Sequence, residues 1–238
     1  MKDITTIGFD ADDTLWHHER HYHFTQERFA KLLSPFCEPE KLSESLIAAE
    51  RRNLGHYGYG VKGFTLSMIE TAIEVSGGKA PASLIAEILE AGRDLLAHPI
   101  VCLPGVGETL AALKGDYRLI VITKGELLDQ ERKLAASGLD HHFEAVEIVS
   151  EKQADTYARI FSRHGNGAAS AMMVGNSLKS DIVPALEAGS WAVHVPSDHN
   201  WVLDHADEPV AHARYARIAR IDEIPGLLAG QFAATSRS

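Results

Sequence analysis

Short apolar runs that alternate with helical periodicity constrain the fold of this chain most strongly. The first run, 4–9, is rich in β-branched residues, as expected for a strand buried on both faces of a sheet. Four more apolar runs follow, at 119–122, 145–149, 171–174 and 191–195. Helical patterns alternate with these runs, at 106–114, 127–137, 152–164 and 180–188. This alternation predicts an α/β fold with a doubly wound, parallel, Rossmann-like sheet.

The segment between the first and second apolar runs has only helical patterns. Its predicted helices cover 19–34, 39–54, 63–76 and 81–98. The last has the clearest apolar stripe, which follows a proline at the helix start and consists of Leu84, Ile85, Ile88, Leu89, Leu95 and Leu96. We therefore predict an α/β core from 1–15 and 101–238, with an all-helical insert from 16–100. We expect the insert over the carboxyl edge of the sheet, where open α/β sheets bind ligands.

Composition excludes several classes of partner. The chain has 238 residues and a formal net charge of −10, which disfavours a nucleic-acid backbone as a partner. No apolar run approaches the ~20 residues of a membrane helix. A strand pattern begins by Ile4, so we expect no signal peptide. The two cysteines have no metal-site spacing, and together these features predict a cytoplasmic protein.

Two carboxylates follow the first predicted strand. In extended backbone Asp10 and Asp12 lie on one face, ~7 Å apart. At ~6 Å and an effective dielectric constant of ~20, two carboxylates repel by roughly 3 kcal/mol, which equals about two pKa units. A bound cation removes this repulsion, and hard oxygen ligands suit Mg²⁺. A carboxylate nucleophile, a second acid and a metal predict phosphoryl transfer through an aspartyl intermediate.

The other predicted strands also end in polar residues. Thr123, Lys124 and Gly125 follow one strand, where a hydroxyl and the amides of a helix start can hold phosphate oxygens. Lys152 lies in the first turn of a predicted helix, against the helix dipole, so we expect an anion or a carboxylate cluster beside it. After the next strand, a Gly-Asn-x-x-x-x-Asp loop offers Asn176 and Asp181 as metal ligands.

In this order, Asp-x-Asp-x-Thr, Thr, Lys and Gly-Asn-x-x-x-x-Asp resemble the four motifs of the haloacid dehalogenase-like hydrolases. The resemblance covers the first 15 residues and about 101–195, and that family places a helical cap where the insert lies. It implies that Asp10 is the nucleophile and Asp12 the general acid and base. It also implies that Thr123 binds phosphoryl oxygens and that Lys152 offsets negative charge.

The resemblance further implies a magnesium ion bound by the Asp10 side chain, the carbonyl of residue 12 and the acid of the fourth motif. That motif often begins with Gly-Asp, whereas this chain has Asn176. We therefore expect Asp181 to be the main ligand, with Asn176 in a supporting role. The lysine motif also lacks the nearby proline that is common in the family.

Asp12 favours a phosphatase over a dehalogenase, since an alkoxide leaving phosphorus needs a proton and a halide does not. A phosphomutase would use the same pair of aspartates. A catalytically degenerate binding protein would lack the nucleophile, the acid or the lysine, and all three are present.

Residues 56–63, within the insert, alternate glycine with aromatic residues. Lys62 in this loop is a candidate ligand for a second anionic group of the substrate. We expect a small phosphorylated metabolite such as a nucleotide, a cofactor phosphate or a phosphosugar; the sequence predicts no oligomeric state. The histidines of 17–23 include His17 and His21, four residues apart, but no third metal ligand is evident nearby, and a place at the site entrance is the favoured interpretation.

Overall fold

The computed structural model describes residues 3–198, 201, 204 and 206–230. The strands are β1 (Thr6–Phe9), β2 (Arg118–Lys124), β3 (Ala145–Val149), β4 (Ala171–Gly175), β5 (Trp191–His194) and β6 (Tyr215–Arg217). They form one sheet in the order β3-β2-β1-β4-β5-β6, and every pairing is parallel. The predicted α/β fold with a parallel, Rossmann-like sheet is confirmed. The sequence did not predict β6, because three partly exposed residues are too short to show a period.

Among the described residues, every α-helix but the last overlaps a predicted segment, with shifted ends, and the sequence did not predict the last one. The helices are α1 (Glu19–Leu33), α2 (Pro39–Tyr57), α3 (Val61–Val75), α4 (Ala82–Ala97), α5 (Val106–Leu113), α6 (Leu127–Ser137), α7 (Ala154–His164), α8 (Val183–Glu187) and α9 (Ile224–Leu228). A π-helix, Leu178–Ile182, leads into α8. The expectation that Lys152 lies in a first helical turn is wrong, since α7 begins two residues later and Gln153 is its N-cap.

Apolar layers cover both faces of the sheet. On β1, Ile7 and Phe9 belong to one buried cluster, whereas a Cβ atom at Gly8 would point to the opposite face, 2.8 Å from Ile122 Cδ1. Alternate side chains therefore enter opposite layers. Every residue of β1 and β4 is buried, as expected for central strands of a parallel sheet.

The described residues divide into two compact units. The first lies within 1–17, 100–124 and 130–238, and the second comprises His18–Pro99 and Gly125–Asp129. The second unit has its own apolar core, which includes Phe29, Leu33, Met68 and Ile88. Of the predicted stripe on α4, Leu84, Ile88 and Leu95 are buried, but Leu89 is 40% exposed. The predicted domain bounds remain a prediction.

Residues 125–129 belong to the second unit although the sequence assigned them to the core. Glu126 accounts for this placement. Its carboxylate forms an ion pair with the Lys62 ammonium and also accepts a hydrogen bond from the Lys62 backbone N–H, at 3.3 Å. A Cβ atom at Gly60 would lie only 3.2 Å from the Glu126 side chain, so the two segments approach closely.

Candidate active site

The carboxyl ends of neighbouring strands bring several predicted site residues to one edge of the sheet. Asp10 follows β1, and its N–H donates to Val174 O on β4 (2.9 Å). Lys124 is the last residue of β2, Lys152 follows β3, and Asn176 follows β4. Parallel strands end at the same edge, so these residues meet there although more than 160 residues separate the first from the last.

Asp10 is a buried carboxylate with two defined partners. Its Oδ1 accepts a hydrogen bond from Lys152 Nζ at 2.5 Å, and its Oδ2 accepts one from Thr14 Oγ1 at 3.0 Å. Burial and the nearby Asp181 charge raise the pKa of Asp10 to about 7, against the opposing effect of Lys152. An additional positive charge beside Asp10 would therefore favour the ionised form that a nucleophile requires.

Lys152 bridges two acids inside the protein. Its Nζ lies 2.5 Å from Asp10 Oδ1 and 2.6 Å from Asp181 Oδ1, and its side chain is 2% exposed. Burial acts to lower the pKa of Lys152, but the two carboxylates act more strongly and raise it. The side chain is therefore an ammonium. The expected cluster of carboxylates beside it, formed by Asp10 and Asp181, explains its position.

Each oxygen of the Asp181 carboxylate accepts a hydrogen bond from the protein. Its Oδ1 accepts from Lys152 Nζ, and its Oδ2 accepts from the Ser177 N–H at 3.0 Å. The residue is 1% exposed and lies in the π-helix, a distortion that is frequent at functional sites. A Cβ atom at Gly175 would lie 2.3 Å from Asp181 Oδ2, so the close approach of Asp181 to β4 requires glycine there.

Asn176 faces a set of oxygen atoms. The end of its amide lies 3.2 Å from each of Asp10 Oδ2, the Asp12 carbonyl oxygen and Thr14 Oγ1. With its nitrogen turned toward these atoms, the amide donates hydrogen bonds to them. With its oxygen turned toward them, three oxygens of Asp10, Asp12 and Asn176 converge, and such a donor set fits a hard cation such as Mg²⁺.

The side chain of Asp12 points to other partners than that of Asp10. Its Oδ1 accepts from Trp16 Nε1 at 2.8 Å, its Oδ2 accepts from Gln130 Nε2 at 2.8 Å, and Lys133 Nζ lies 3.0 Å from both oxygens. Asp10 and Asp12 were expected to lie on one face of an extended strand. This expectation is wrong, because β1 ends at Phe9. The turn that follows includes Asp13, whose φ of 59° is left-handed, a conformation that aspartate tolerates better than most residues.

Sequence reasoning missed Gln130 and Lys133. Both lie on α6, one turn apart, and are 4% and 2% exposed. Leu134, next to Lys133, packs in the apolar cluster beneath the sheet. The signal that could have identified them is a polar and a charged residue on the buried face of an amphipathic helix, where apolar side chains are expected.

The predicted phosphate-binding residues lie at the end of β2. Thr123 is 2% exposed, and its Oγ1 donates to the Lys124 carbonyl at 3.2 Å. Lys124 Nζ donates to Ser180 Oγ at 2.8 Å, and burial lowers the pKa of this lysine, against the opposing Asp204 charge. Gly125 has a φ of 127°, a backbone conformation that favours glycine.

Lys62 and residues 18–23 of the histidine segment belong to the second, helical unit, whereas His17 belongs to the first. A side-chain hydrogen bond with Glu126 raises the pKa of Lys62, which strengthens its ammonium character. The rings of His21 and His98 lie 3.7 Å apart, and His18 packs on Tyr22. Within the described part of the chain, no three His, Cys, Asp or Glu side chains form a metal-binding group.

Comparisons with known proteins agree with this fold. A model of the haloacid dehalogenase-like hydrolase family matches residues 4–189. A crystal structure of a haloacid dehalogenase-like family hydrolase from Xanthomonas campestris has 41% identity and a TM-score of 0.85, covering 96% of this chain and 91% of that one. A Bacillus subtilis hydrolase of the same kind, crystallised with magnesium, has 16% identity and a TM-score of 0.67, covering 95% and 99%.

A curated human protein, N-acylneuraminate-9-phosphatase, is 26% identical over 164 residues. The match covers 67% of this chain and 64% of the human protein. The chain therefore spans somewhat less than two thirds of the length of that relative. Among the described residues, no helix has the length and apolar character that crossing a membrane requires.

Proposed function

Because the chain belongs to the haloacid dehalogenase-like hydrolase family, we propose that it is a phosphatase that hydrolyses a small phosphate monoester through an aspartyl phosphate at Asp10. One observation carries this proposal. Asp10 has one oxygen on the Lys152 ammonium, and its other oxygen lies 3.2 Å from the end of the Asn176 amide, which is also 3.2 Å from the Asp12 carbonyl oxygen. A carboxylate with an ammonium on one side and a cation donor set on the other is placed to attack a dianionic phosphoryl group.

Asp10 Oδ2, the Asp12 carbonyl and the Asn176 amide oxygen would hold Mg²⁺. When bound, the ion would offset the negative charge of the nucleophile and of the phosphoryl group. This assignment differs from the expectation that Asp181 is the main ligand. The oxygens that lie at the end of the Asn176 amide belong to Asp10, Asp12 and Thr14, whereas Asp181 accepts from Lys152 and from the Ser177 N–H. Its proposed role is therefore to hold the lysine and to contribute charge near the ion.

The proposed reaction has two steps. Asp10 attacks phosphorus, the bond from phosphorus to the ester oxygen breaks, and Asp12 gives its proton to the leaving oxygen. A water then gives a proton to Asp12 while its oxygen attacks phosphorus, and the bond from phosphorus to Asp10 breaks. The products are an alcohol and inorganic phosphate, and both aspartates return to their starting states. Lys152 stays protonated throughout, and Thr123 would contact the phosphoryl oxygens.

The substrate class is a small phosphorylated metabolite. The human relative is an N-acylneuraminate-9-phosphatase, which favours a phosphosugar among the three classes proposed from the sequence. Lys124 and Gly125 would lie beside the phosphate, while Lys62 would meet a second anionic group of the substrate. We expect the reaction to take place in the cytoplasm.

Two alternatives retain this fold. A 2-haloacid dehalogenase would need Asp10 but no leaving-group acid, so Asp12 would have no role in its reaction. A phosphomutase would use both aspartates and return the phosphoryl group to a sugar hydroxyl instead of to water. A degenerate binding protein is a third alternative, of another class, and would bind a phosphorylated ligand without turnover.

The test measures phosphate release from p-nitrophenyl phosphate and from a panel of phosphorylated metabolites, with and without Mg²⁺. We expect magnesium-dependent release by the native protein and none by Asp10→Asn. Release of halide from 2-chloropropionate without added metal would establish a dehalogenase instead. Binding of a panel member without phosphate release or transfer would support the degenerate protein.

A further inference from the structure

The Asp12 carboxylate is enclosed by three side-chain donors. Oδ1 accepts from Trp16 Nε1 (2.8 Å) and Lys133 Nζ (3.0 Å), while Oδ2 accepts from Gln130 Nε2 (2.8 Å) and the same ammonium (3.0 Å). Four donor contacts come close to the number that a carboxylate can accept. The orientation of this side chain is therefore fixed by its neighbours.

Two of the donors come from one face of α6. Lys133 is 2% exposed, and the adjacent Leu134 packs in an apolar cluster. Taking an ammonium out of water is costly, and an apolar side chain of similar size is often at least as stabilising at such a position. Packing alone therefore gives no reason for a lysine here, whereas the contact with Asp12 does.

Gln130 connects Asp12 to the end of β2. Its Nε2 donates both to Asp12 Oδ2 and to the Lys124 carbonyl, the latter at 2.9 Å. Its Oε1 is buried and accepts no hydrogen bond from the described residues. The two donated hydrogen bonds thus orient the amide, although this orientation leaves its buried Oε1 without a hydrogen bond from those residues, which is unfavourable. These bonds fix Asp12 relative to the backbone that directly follows Thr123.

We propose that Lys133 and Gln130 are positioning residues that fix the orientation of the Asp12 side chain, and that Asp12 exchanges one of these donor contacts for the leaving oxygen when it transfers its proton. This inference rests on the proposed phosphatase function, in which Asp12 is the general acid and base. A general acid acts only within hydrogen-bond reach of the leaving oxygen. Removing either donor from α6 frees the carboxylate to rotate, and the fraction of molecules with a correctly placed acid falls.

Leaving-group chemistry separates this role from a merely structural one. p-Nitrophenolate is a weak base and leaves with little help from an acid, whereas a propyl alkoxide needs a proton. A variant that misplaces Asp12 loses activity mainly toward propyl phosphate. A variant that only loosens the fold loses activity toward both substrates in the same proportion.

The kinetic test uses Lys133→Met and Gln130→Met, with Arg132→Met as the matched control because Arg132 is exposed on the same helix. We expect each of the first two variants to lower kcat for propyl phosphate about tenfold more than for p-nitrophenyl phosphate. The control is expected to leave both substrates unaffected. In an Asp12→Ala background, Lys133→Met should cost less than about twofold, because the residues act as one unit. Equal losses on both substrates, or additive losses in the double variant, would overturn the proposal.

A second measurement does not depend on turnover. The chain has three tryptophans, so a ¹H–¹⁵N spectrum has few indole N–H signals. The signal that disappears in Trp16→Phe is the signal of Trp16. We expect Asp12→Ala and Lys133→Met to shift this signal, and Arg132→Met to leave it in place. If the native protein lacks phosphatase activity while the signal shifts as expected, the proposed function fails and the contact network stands. If the protein is an active phosphatase but Lys133→Met leaves the Trp16 signal in place, the positioning role is wrong and the proposed function stands.

Discussion

Asp10 and Lys152 form a buried ion pair, with Lys152 Nζ 2.5 Å from Asp10 Oδ1. The same ammonium lies 2.6 Å from Asp181 Oδ1, so a single positive charge is paired with two carboxylates. The remaining negative charge, together with burial, raises the pKa of Asp10. The free energy of this cluster therefore depends on which charges are present, and the predictions below change them one at a time.

Replacement of Lys152 should destabilise the protein strongly. Lys152→Met leaves Asp10 and Asp181 buried without their ammonium, and breaking such a pair costs about 3–5 kcal/mol. Urea unfolding at pH 7 in the presence of EDTA measures this loss. Lys79→Met, at an exposed lysine of the helical unit, is the control and should change stability by less than about 0.5 kcal/mol. A similar, small effect of both variants would contradict the buried ion pair.

Neutralising Asp10 should stabilise the metal-free protein at high pH. The folded-state pKa of about 7 exceeds the ordinary 3.8, so the folded protein binds the Asp10 proton more tightly than the unfolded chain does. The wild type therefore loses stability as the pH rises from about 4 through 7. Asp10→Asn avoids this loss and should be more stable by roughly 2–4 kcal/mol at pH 8, but not at pH 4. Urea unfolding with EDTA at both pH values tests the sign; a variant that is less stable than the wild type at pH 8 would contradict it.

A carboxylate in place of Asn176 should bind magnesium more tightly. Asn176→Asp adds a negative charge to a donor set that now has one side-chain carboxylate, and we expect about tenfold tighter binding, or about 1.4 kcal/mol. Calorimetric titration with MgCl₂ measures the affinity directly. Asn166→Asp is the charge-matched control, because Asn166 is exposed and its side chain contacts Thr5 before β1 begins. Equal effects of the two variants would remove Asn176 from the metal site.

Lys62 should distinguish the physiological substrate from a simple ester. Lys62→Ala is expected to raise KM for the physiological substrate about tenfold and to leave p-nitrophenyl phosphate unchanged, since only the former carries a second anionic group. Glu126→Gln is the complementary variant. It removes the carboxylate that pairs with the Lys62 ammonium and should lower KM for the same substrate. Equal changes with both substrates would exclude Lys62 from substrate binding.

Gly175 should tolerate no side chain. An alanine Cβ atom there would lie 2.3 Å from Asp181 Oδ2, so Asp181 or β4 must shift, at a cost of about 1–3 kcal/mol. Gly107→Ala on α5 is the matched control, since a Cβ atom there meets nothing within 4 Å and should stabilise the helix by about 0.5–1 kcal/mol. Thermal unfolding and phosphate release measure both variants. A stable, active Gly175→Ala protein would contradict the close approach.

Local patterns predicted most of the fold. The apolar runs located β1 to β5, and the helical periods located α1 to α7, because burial on both faces and amphipathic packing leave regular signals in a sequence. The ends and buried faces of these elements were predicted less accurately. Lys152 was assigned to a helix that begins two residues later, and Leu89 was assigned to a buried stripe although it is 40% exposed.

The sequence by itself determined which chemical groups follow each strand, since parallel strand ends carry Asp10, Thr123, Lys152 and Asn176 in a fixed order. Only the tertiary structure decided how these groups pair. Asp181 contacts Lys152 across 29 residues, and Asp12 contacts Lys133 across 121. No spacing rule covers such contacts, because they depend on which helix face meets which strand end. The physical reason is that secondary structure follows from local backbone and burial preferences, whereas charge pairing follows from distances that exist only after the chain has folded.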